Sequence, residues 1–182
     1  MLDVTLELLA EGAVDRLSTN LIASQARISV GNLYQFYPNK DAILCDLLRR
    51  WQEQTVEVLN DLDARFAKGI QPEECIDGIL RALGCNTALN SPGYWNLRAA
   101  LERSPELSQF SHEQHEPIRD RITGLYEACA MPVQDTKAGG VGMLRSQVTM
   151  ACLYTLSQTA TGDRQEEILE RSRQILMTAF DL

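Results

Sequence analysis

Apolar residues return every three or four positions along almost the whole chain, and nowhere do they alternate with polar ones over a useful length. That period belongs to one face of an α-helix, whereas a half-buried strand alternates every second residue. Ile43, Leu44, Leu47, Leu48, Trp51, Val58, Leu59, Leu62 and Phe66 form one such stripe, on a helix expected to start after Asn39 and end at Lys68-Gly69. The punctuation is helical too. Ser18, Thr19 and Asn39 are N-cap types. Pro72, Ser91-Pro92 and Ser104-Pro105 place proline in a first turn, where its missing N–H is no loss. Gly12 breaks a first helix marked by Leu2, Leu6, Leu9 and Val14. Pro117 is expected to interrupt the segment that Pro105 opens, and 132–142, with its glycines, to form a flexible loop. Helices over 143–161 and 165–180 close an all-α chain of about nine to ten helices.

With 182 residues, 45% of them apolar, the chain is large enough to bury a core without staples, and disorder as its main state is excluded. No run approaches the roughly 20 apolar residues of a membrane span. The start, MLDVTLELLAEG, has acidic residues and no basic leader, so it does not read as a secretory signal. A cytoplasmic location is expected. The five cysteines (Cys45, Cys75, Cys85, Cys129, Cys152) are scattered and lack C-x-x-C spacing, which rules out a zinc ribbon and makes them small hydrophobes in a reducing compartment. The net charge of −8 argues against coating nucleic acid by bulk attraction. It is unevenly spread. Residues 1–52 hold five basic and six acidic side chains, leaving 12 basic and 19 acidic for the rest.

The informative stretch is 18–44, STNLIASQARISVGNLYQFYPNKDAIL. It reads as a short helix, a tight turn at Arg27-Ile28-Ser29, and a second short helix over 30–37 stopped by Pro38. That is the helix-turn-helix layout, whose second helix enters the DNA major groove. Ser18 and Ser29 are placed to cap the two helices. Gly31 allows close backbone approach. Val30, Asn32 and Gln35 suit base edges: the amides read adenine, and valine meets a thymine methyl. Tyr34 and Lys40 suit phosphates, which position a protein without specifying sequence.

The run SVGNLYQFYPNKDAIL resembles the tetracycline-repressor (TetR) family of transcriptional regulators, whose pattern runs roughly A-G-V-S-x-G-x-L-Y-x-Y-F-x-x-K-x-x-L. Ala26, Ser29, Gly31, Leu33, Tyr34, Lys40 and Ile43 carry the match. The resemblance implies a three-helix DNA-binding domain over 1–45, joined by a long helix to an effector-binding and dimerisation domain over 46–182. It implies that Thr19, Tyr34 and Lys40 hold phosphates, that Asn20, Val30, Asn32 and Gln35 face bases, and that the last two helices pair two copies. The partners expected are double-stranded operator DNA, a small-molecule effector and a second copy of the chain, with no membrane, no cofactor and no metal. The function implied is a one-component repressor that binds operator DNA as a dimer and leaves it when the effector binds. The competing reading keeps the fold as a ligand-binding or scaffold protein with weak DNA binding.

Three departures from the pattern stand out. Arg27 replaces the usual turn glycine, which predicts a non-glycine residue at positive φ. Phe36-Tyr37 reverses the usual order. Basic residues before the first helix are missing, and a longer natural product bearing them is expected.

Elsewhere, Tyr94, Trp95, Asn96, Arg98, Tyr126 and Tyr154 combine aromatic area with polar tips, as pocket linings do, and core packing explains them equally well. Leu144, Val148, Cys152 and Thr155 form one stripe, and Ile168, Ile175, Leu176 and Ala179 another, both suited to a dimer interface and equally to an intramolecular core. The segment His112-Glu113-Gln114-His115-Glu116 reads as a solvated helix end rather than a metal site. Neither hydrolase nor zincin spacing is found, so no enzyme is expected.

Overall fold

The computed structural model describes residues 1–66, 70–86, 88–128, 138–158 and 163–179, excepting the side chains of Ala13, residues 127–128 and 138–145, and Ala179. Cys129 lies outside the described residues, as do the side chains of Leu144 and Ala179. Among the described residues there are nine α-helices and no strand. They are α1 (Leu2–Ala10), α2 (Thr19–Gln25), α3 (Val30–Phe36), α4 (Lys40–Phe66), α5 (Pro72–Ile79), α6 (Pro92–Leu101), α7 (Pro105–Ala128), α8 (Ala138–Ser157) and α9 (Asp163–Ala179).

Helix starts follow the sequence closely. Ser18, Ser29, Asn39, Ser91 and Ser104 each accept a hydrogen bond from the amide three residues on, and Pro72 and Pro92 sit in first turns. Gly12 takes φ 77 between α1 and a short 3₁₀ turn at Ala13–Arg16. Two expectations fail. Helix α7 runs through Pro117 without a break. Proline is tolerated there because it removes one helical donor while the flanking residue Ile118 stays buried, so packing holds the helix across the gap. Gly139, Gly140 and Gly142 belong to the first turns of α8 rather than to a loop. Glycine lowers helix propensity by only about 1 kcal/mol each, which packing further along a long helix overrides.

The chain divides into two compact units. The first comprises Met1–Glu53 and Ser91–His115, so the three N-terminal helices and the start of α4 share their core with α6 and the first part of α7. That unit is larger than the 1–45 segment. Leu9, Ile22, Leu33, Ile43, Leu48 and Leu101 form its fully buried centre. Gly93 of α6 lies so close to α1 that a Cβ there would stand 2.5 Å from the Leu6 carbonyl oxygen.

The second unit comprises Gln54–Asn90 and Glu116–Leu182. Leu62, Ile76, Leu80, Leu125, Tyr126 and Leu176 are buried in it. Helix α5 ends in a π-helical turn, Leu80–Gly84. Asn90 Nδ2 donates to the carbonyls of Gly84 (2.9 Å) and Leu153 (2.7 Å), which ties that turn to α8. No described helix is long and apolar enough to cross a membrane.

Candidate nucleic-acid interface

Leu33 is fully buried and anchors α3 to the first unit. At 100° per residue, the outward line of α3 then falls on Gly31 and Gln35, with Val30 and Tyr34 on one flank and Asn32 and Phe36 on the other. Gly31, Asn32, Tyr34, Gln35 and Phe36 are exposed and Val30 is half-buried. A Cβ at Gly31 would meet only the Ser29 hydroxyl, 4.0 Å away. Among the described residues nothing requires glycine there.

The caps set where these side chains start. Ser29 Oγ accepts from the Asn32 amide at 3.0 Å, and Ser18 Oγ accepts from the Leu21 amide at 3.2 Å. The Thr19 and Tyr34 hydroxyls lie 3.1 Å apart at the surface, linking the first turn of α2 to one flank of α3. Asn20 is exposed beside them. Lys40 opens α4, half-buried. The structure thus brings the ten DNA-facing candidates, Ser18 to Lys40, onto α2, α3 and the start of α4.

The turn is a Schellman closure. The Ile28 amide donates to the Ala23 carbonyl at 3.0 Å and the Arg27 amide to the Ser24 carbonyl at 3.1 Å. That geometry needs a left-handed residue between them, and Arg27 takes it at φ 56, the positive φ expected from its replacement of glycine. The reversed pair Phe36-Tyr37 also has an explanation. Tyr37 turns inward and its hydroxyl donates to Asp46 Oδ2 on α4 at 2.6 Å. Burial, then the bond to Asp46, push the phenol up to about 12. Phe36 is left 66% exposed. The sequence reading passed over Phe36. It lies only about 60° around α3 from Leu33, so helical phase alone does not mark it as exposed; the inward turn of Tyr37 is what leaves it at the surface.

The effector candidates fall in both units. In the first, Tyr94 is buried and stacked on Trp51, centroids 4.1 Å apart and planes 9° from parallel. Its hydroxyl lies 2.5 Å from His115 Nε2, and His115 Nδ1 lies 2.6 Å from the Ser111 carbonyl. A carbonyl only accepts, so Nδ1 carries the proton and Nε2 accepts from Tyr94. Burial first, with Arg98 and His112 adding to it, holds the His115 imidazole down to about 4. His115 is therefore not part of a solvated helix end, as the polar run around it suggested; Trp51 and Tyr94 cover it. Asn96 Nδ2 donates to the Leu9 carbonyl at 2.8 Å, and Arg98 lies over the Trp95 ring. In the second unit, the Tyr126 hydroxyl is buried 2.9 Å from Thr149 Oγ1, while Tyr154 is 48% exposed. A groove of about 850 Å³ there is lined by Arg65, Phe66, Asp77, Arg81 and Arg173 among others, and by none of the six candidates.

Of the interface candidates, Cys152 and Leu176 are covered by their own chain, Val148 and Ile168 are half-buried, and Thr155 and Ile175 are exposed. Gln147, Ala151, Tyr154 and Thr155 share one exposed, uncharged face of α8. Among the described residues no group of three His, Cys, Asp or Glu side chains is arranged to hold a metal.

Residues 1–47 match the family model described as bacterial regulatory proteins, tetR family. No curated protein matches the chain. Among solved structures, a TetR-family transcriptional regulator from Streptomyces coelicolor is 22% identical with a TM-score of 0.62, the match covering 99% of this chain and 95% of that one. The Thermus thermophilus FadR, a TetR-family repressor solved with lauroyl-CoA, is 19% identical with a TM-score of 0.64, over 98% and 92% of the two chains. The Bacillus subtilis FadR, solved with stearoyl-CoA, is 19% identical with a TM-score of 0.65, over 98% and 95%. At these identities the structures establish a shared all-α fold.

Proposed function

We propose that this chain, whose residues 1–47 belong to the tetR family of bacterial regulatory proteins, is a cytoplasmic one-component transcriptional repressor that binds operator DNA as a dimer and is released by a small molecule. The observation that carries the DNA reading is the exposed surface of α3: glycine without an internal reason, two amide side chains, and a Thr19–Tyr34 hydroxyl pair on one flank. In this reading Asn20, Val30, Asn32 and Gln35 meet base edges, while Thr19, Tyr34 and Lys40 grip phosphates.

One such helix reads only a few bases. Two are needed, about 34–36 Å apart along one face of the duplex. The uncharged face of α8 and the exposed Ile175 of α9 supply the pairing surface. The effector acts by binding one dimer geometry better than another, which shifts the population away from the DNA-competent form. Residues 1–45 serve DNA and 46–182 serve the effector and the dimer; no catalytic role is assigned. Because two neighbours of the same fold were solved with acyl-CoA, lauroyl-CoA and stearoyl-CoA are the first effector probes.

The test is selection of duplexes from a randomised library, followed by binding titrations with variants. A pseudo-palindromic site should emerge. Gln35→Ala should relax one position per half-site, losing about 1–3 kcal/mol of discrimination. Lys40→Ala should weaken all sequences alike and flatten the salt dependence. The acidic net charge supports the competing reading of a helical ligand-binding protein with weak DNA affinity. That reading wins if selection enriches nothing.

A further inference from the structure

From residue 17 to residue 39 the chain carries a single charged side chain, Arg27. Helices α2 and α3 themselves carry none. The other cations of the first unit are largely engaged within it. Arg50 pairs with Asp3 at 2.6 Å and Arg103 with Asp15 at 2.7 Å, while Arg49 lies over the Phe110 ring and Arg98 over that of Trp95. Arg27 is exposed and shows no side-chain partner among the described residues.

Its backbone is the second observation. Arg27 is the one non-glycine residue at positive φ among the described residues. The Schellman turn asks for a residue without a Cβ, because an L side chain in the left-handed region crowds the following carbonyl. Both turn hydrogen bonds are intact, so glycine would serve the fold as well or better. Strain of this kind persists where a side chain has work that the fold does not explain.

We propose that Arg27 is a phosphate anchor: its guanidinium, held at the junction of α2 and α3, grips the DNA backbone beside the groove that α3 enters. The inference rests on the DNA-binding reading and adds to it a residue to which that reading gives no role. The chemistry fits. A net −8 chain that approaches a polyanion needs a cation at the point of contact, and a guanidinium offers paired donors to phosphate oxygens. The anchor supplies affinity and register but no sequence preference.

The experiment separates the cation from the strain. Arg27→Gly and Arg27→Ala both remove the charge, but only glycine relieves the turn. Tm should be higher for Arg27→Gly than for Arg27→Ala, by about 2–4 °C. Both should bind the selected duplex equally poorly. Each should lose about 0.9 from the log–log salt slope per half-site, hence about eightfold in affinity per half-site at 0.1 M salt, with the difference fading towards 1 M. Arg27→Lys should keep the slope. Wild type that binds the selected duplex, with a slope unchanged in Arg27→Gly but reduced in Lys40→Ala, overturns the proposal and leaves the DNA reading standing. Wild type that selects no duplex sinks the DNA reading, and this inference with it.

Discussion

Acidifying the solution from pH 7 to pH 4 should destabilise the first unit through His115. The imidazole is largely covered by Tyr94 and Trp51 with both nitrogens engaged, and desolvation, then Arg98 and His112, hold it down to about 4, against an ordinary 6.5. Above pH 6.5 neither the folded nor the unfolded chain protonates this ring, and its contribution is complete. Between 6.5 and 4 the unfolded chain binds a proton that the folded chain refuses. Stability then falls by about 1.36 kcal/mol per pH unit, about 3 kcal/mol in all. Below 4 both states carry the proton and the loss stops. Both tryptophans, Trp51 and Trp95, lie in the first unit, and Trp51 touches the ring in question, so urea unfolding followed by tryptophan fluorescence reads the right region. His115→Gln supplies the comparison. It should be less stable than wild type by about 1–3 kcal/mol at pH 7, since the ring contacts with Trp51 and Tyr94 and the bond to the Ser111 carbonyl are lost. The two stability curves should converge as the pH falls, because the carboxylates titrate in both proteins and only wild type carries the histidine. Curves that stay parallel from pH 7 to pH 4 would refute the assignment of a neutral, proton-refusing ring.

Gly93→Ala should be among the most damaging small substitutions, since its methyl would stand 2.5 Å from the Leu6 carbonyl oxygen and backbone must move; a loss of about 1–3 kcal/mol in chemical denaturation is expected, and a neutral result would show that α1 and α6 are not so closely apposed. Phe36→Ala should leave stability within about 0.5 kcal/mol, because the ring is 66% exposed, yet weaken binding to the selected duplex without changing its salt slope, as befits an uncharged contact. Ile175→Asp, on an exposed position of α9, should give a folded monomer in sedimentation or light scattering at concentrations where wild type is dimeric; an unchanged dimer would place the interface elsewhere.

What the sequence shows clearly is what neighbouring residues decide among themselves. A serine or asparagine three residues before a free amide makes a cap wherever the helix starts, so Ser18, Ser29, Asn39, Ser91 and Ser104 were readable without a structure. The positive φ at Arg27 was readable for the same reason: the closure of a helix end is local. Pro117 and the glycines at the start of α8 misled because local propensity is worth only a few kcal/mol, and burial of a long helix face outweighs it. The pairing of Tyr94 with His115 and the stacking of Trp51 on Tyr94 join three helices. No spacing rule links such positions, and the polar run around His115 pointed towards solvent instead. The division of the chain was hidden likewise, because Ser91–His115 rejoins the N-terminal helices across an intervening segment.

That return of α6 to α1 bears on how the protein is made. Leu8 and Leu9 share their core with Tyr94, Leu97 and Leu101, and the Gly93 backbone rests against Leu6. During synthesis, at about 5–20 residues per second, α1, α2 and α3 leave the ribosome before α6, when part of the surface that covers them has not been translated. The N-terminal segment must therefore wait several seconds for α6, with Leu8 and Leu9 incompletely covered, before its core can close. A loop of this span forms slowly compared with the helices at its ends. Chain termination between α4 and α6 would release a segment that carries α2 and α3 without their unit's full core, so the order of synthesis itself delays completion of the first unit until α5, a helix of the second, has been made.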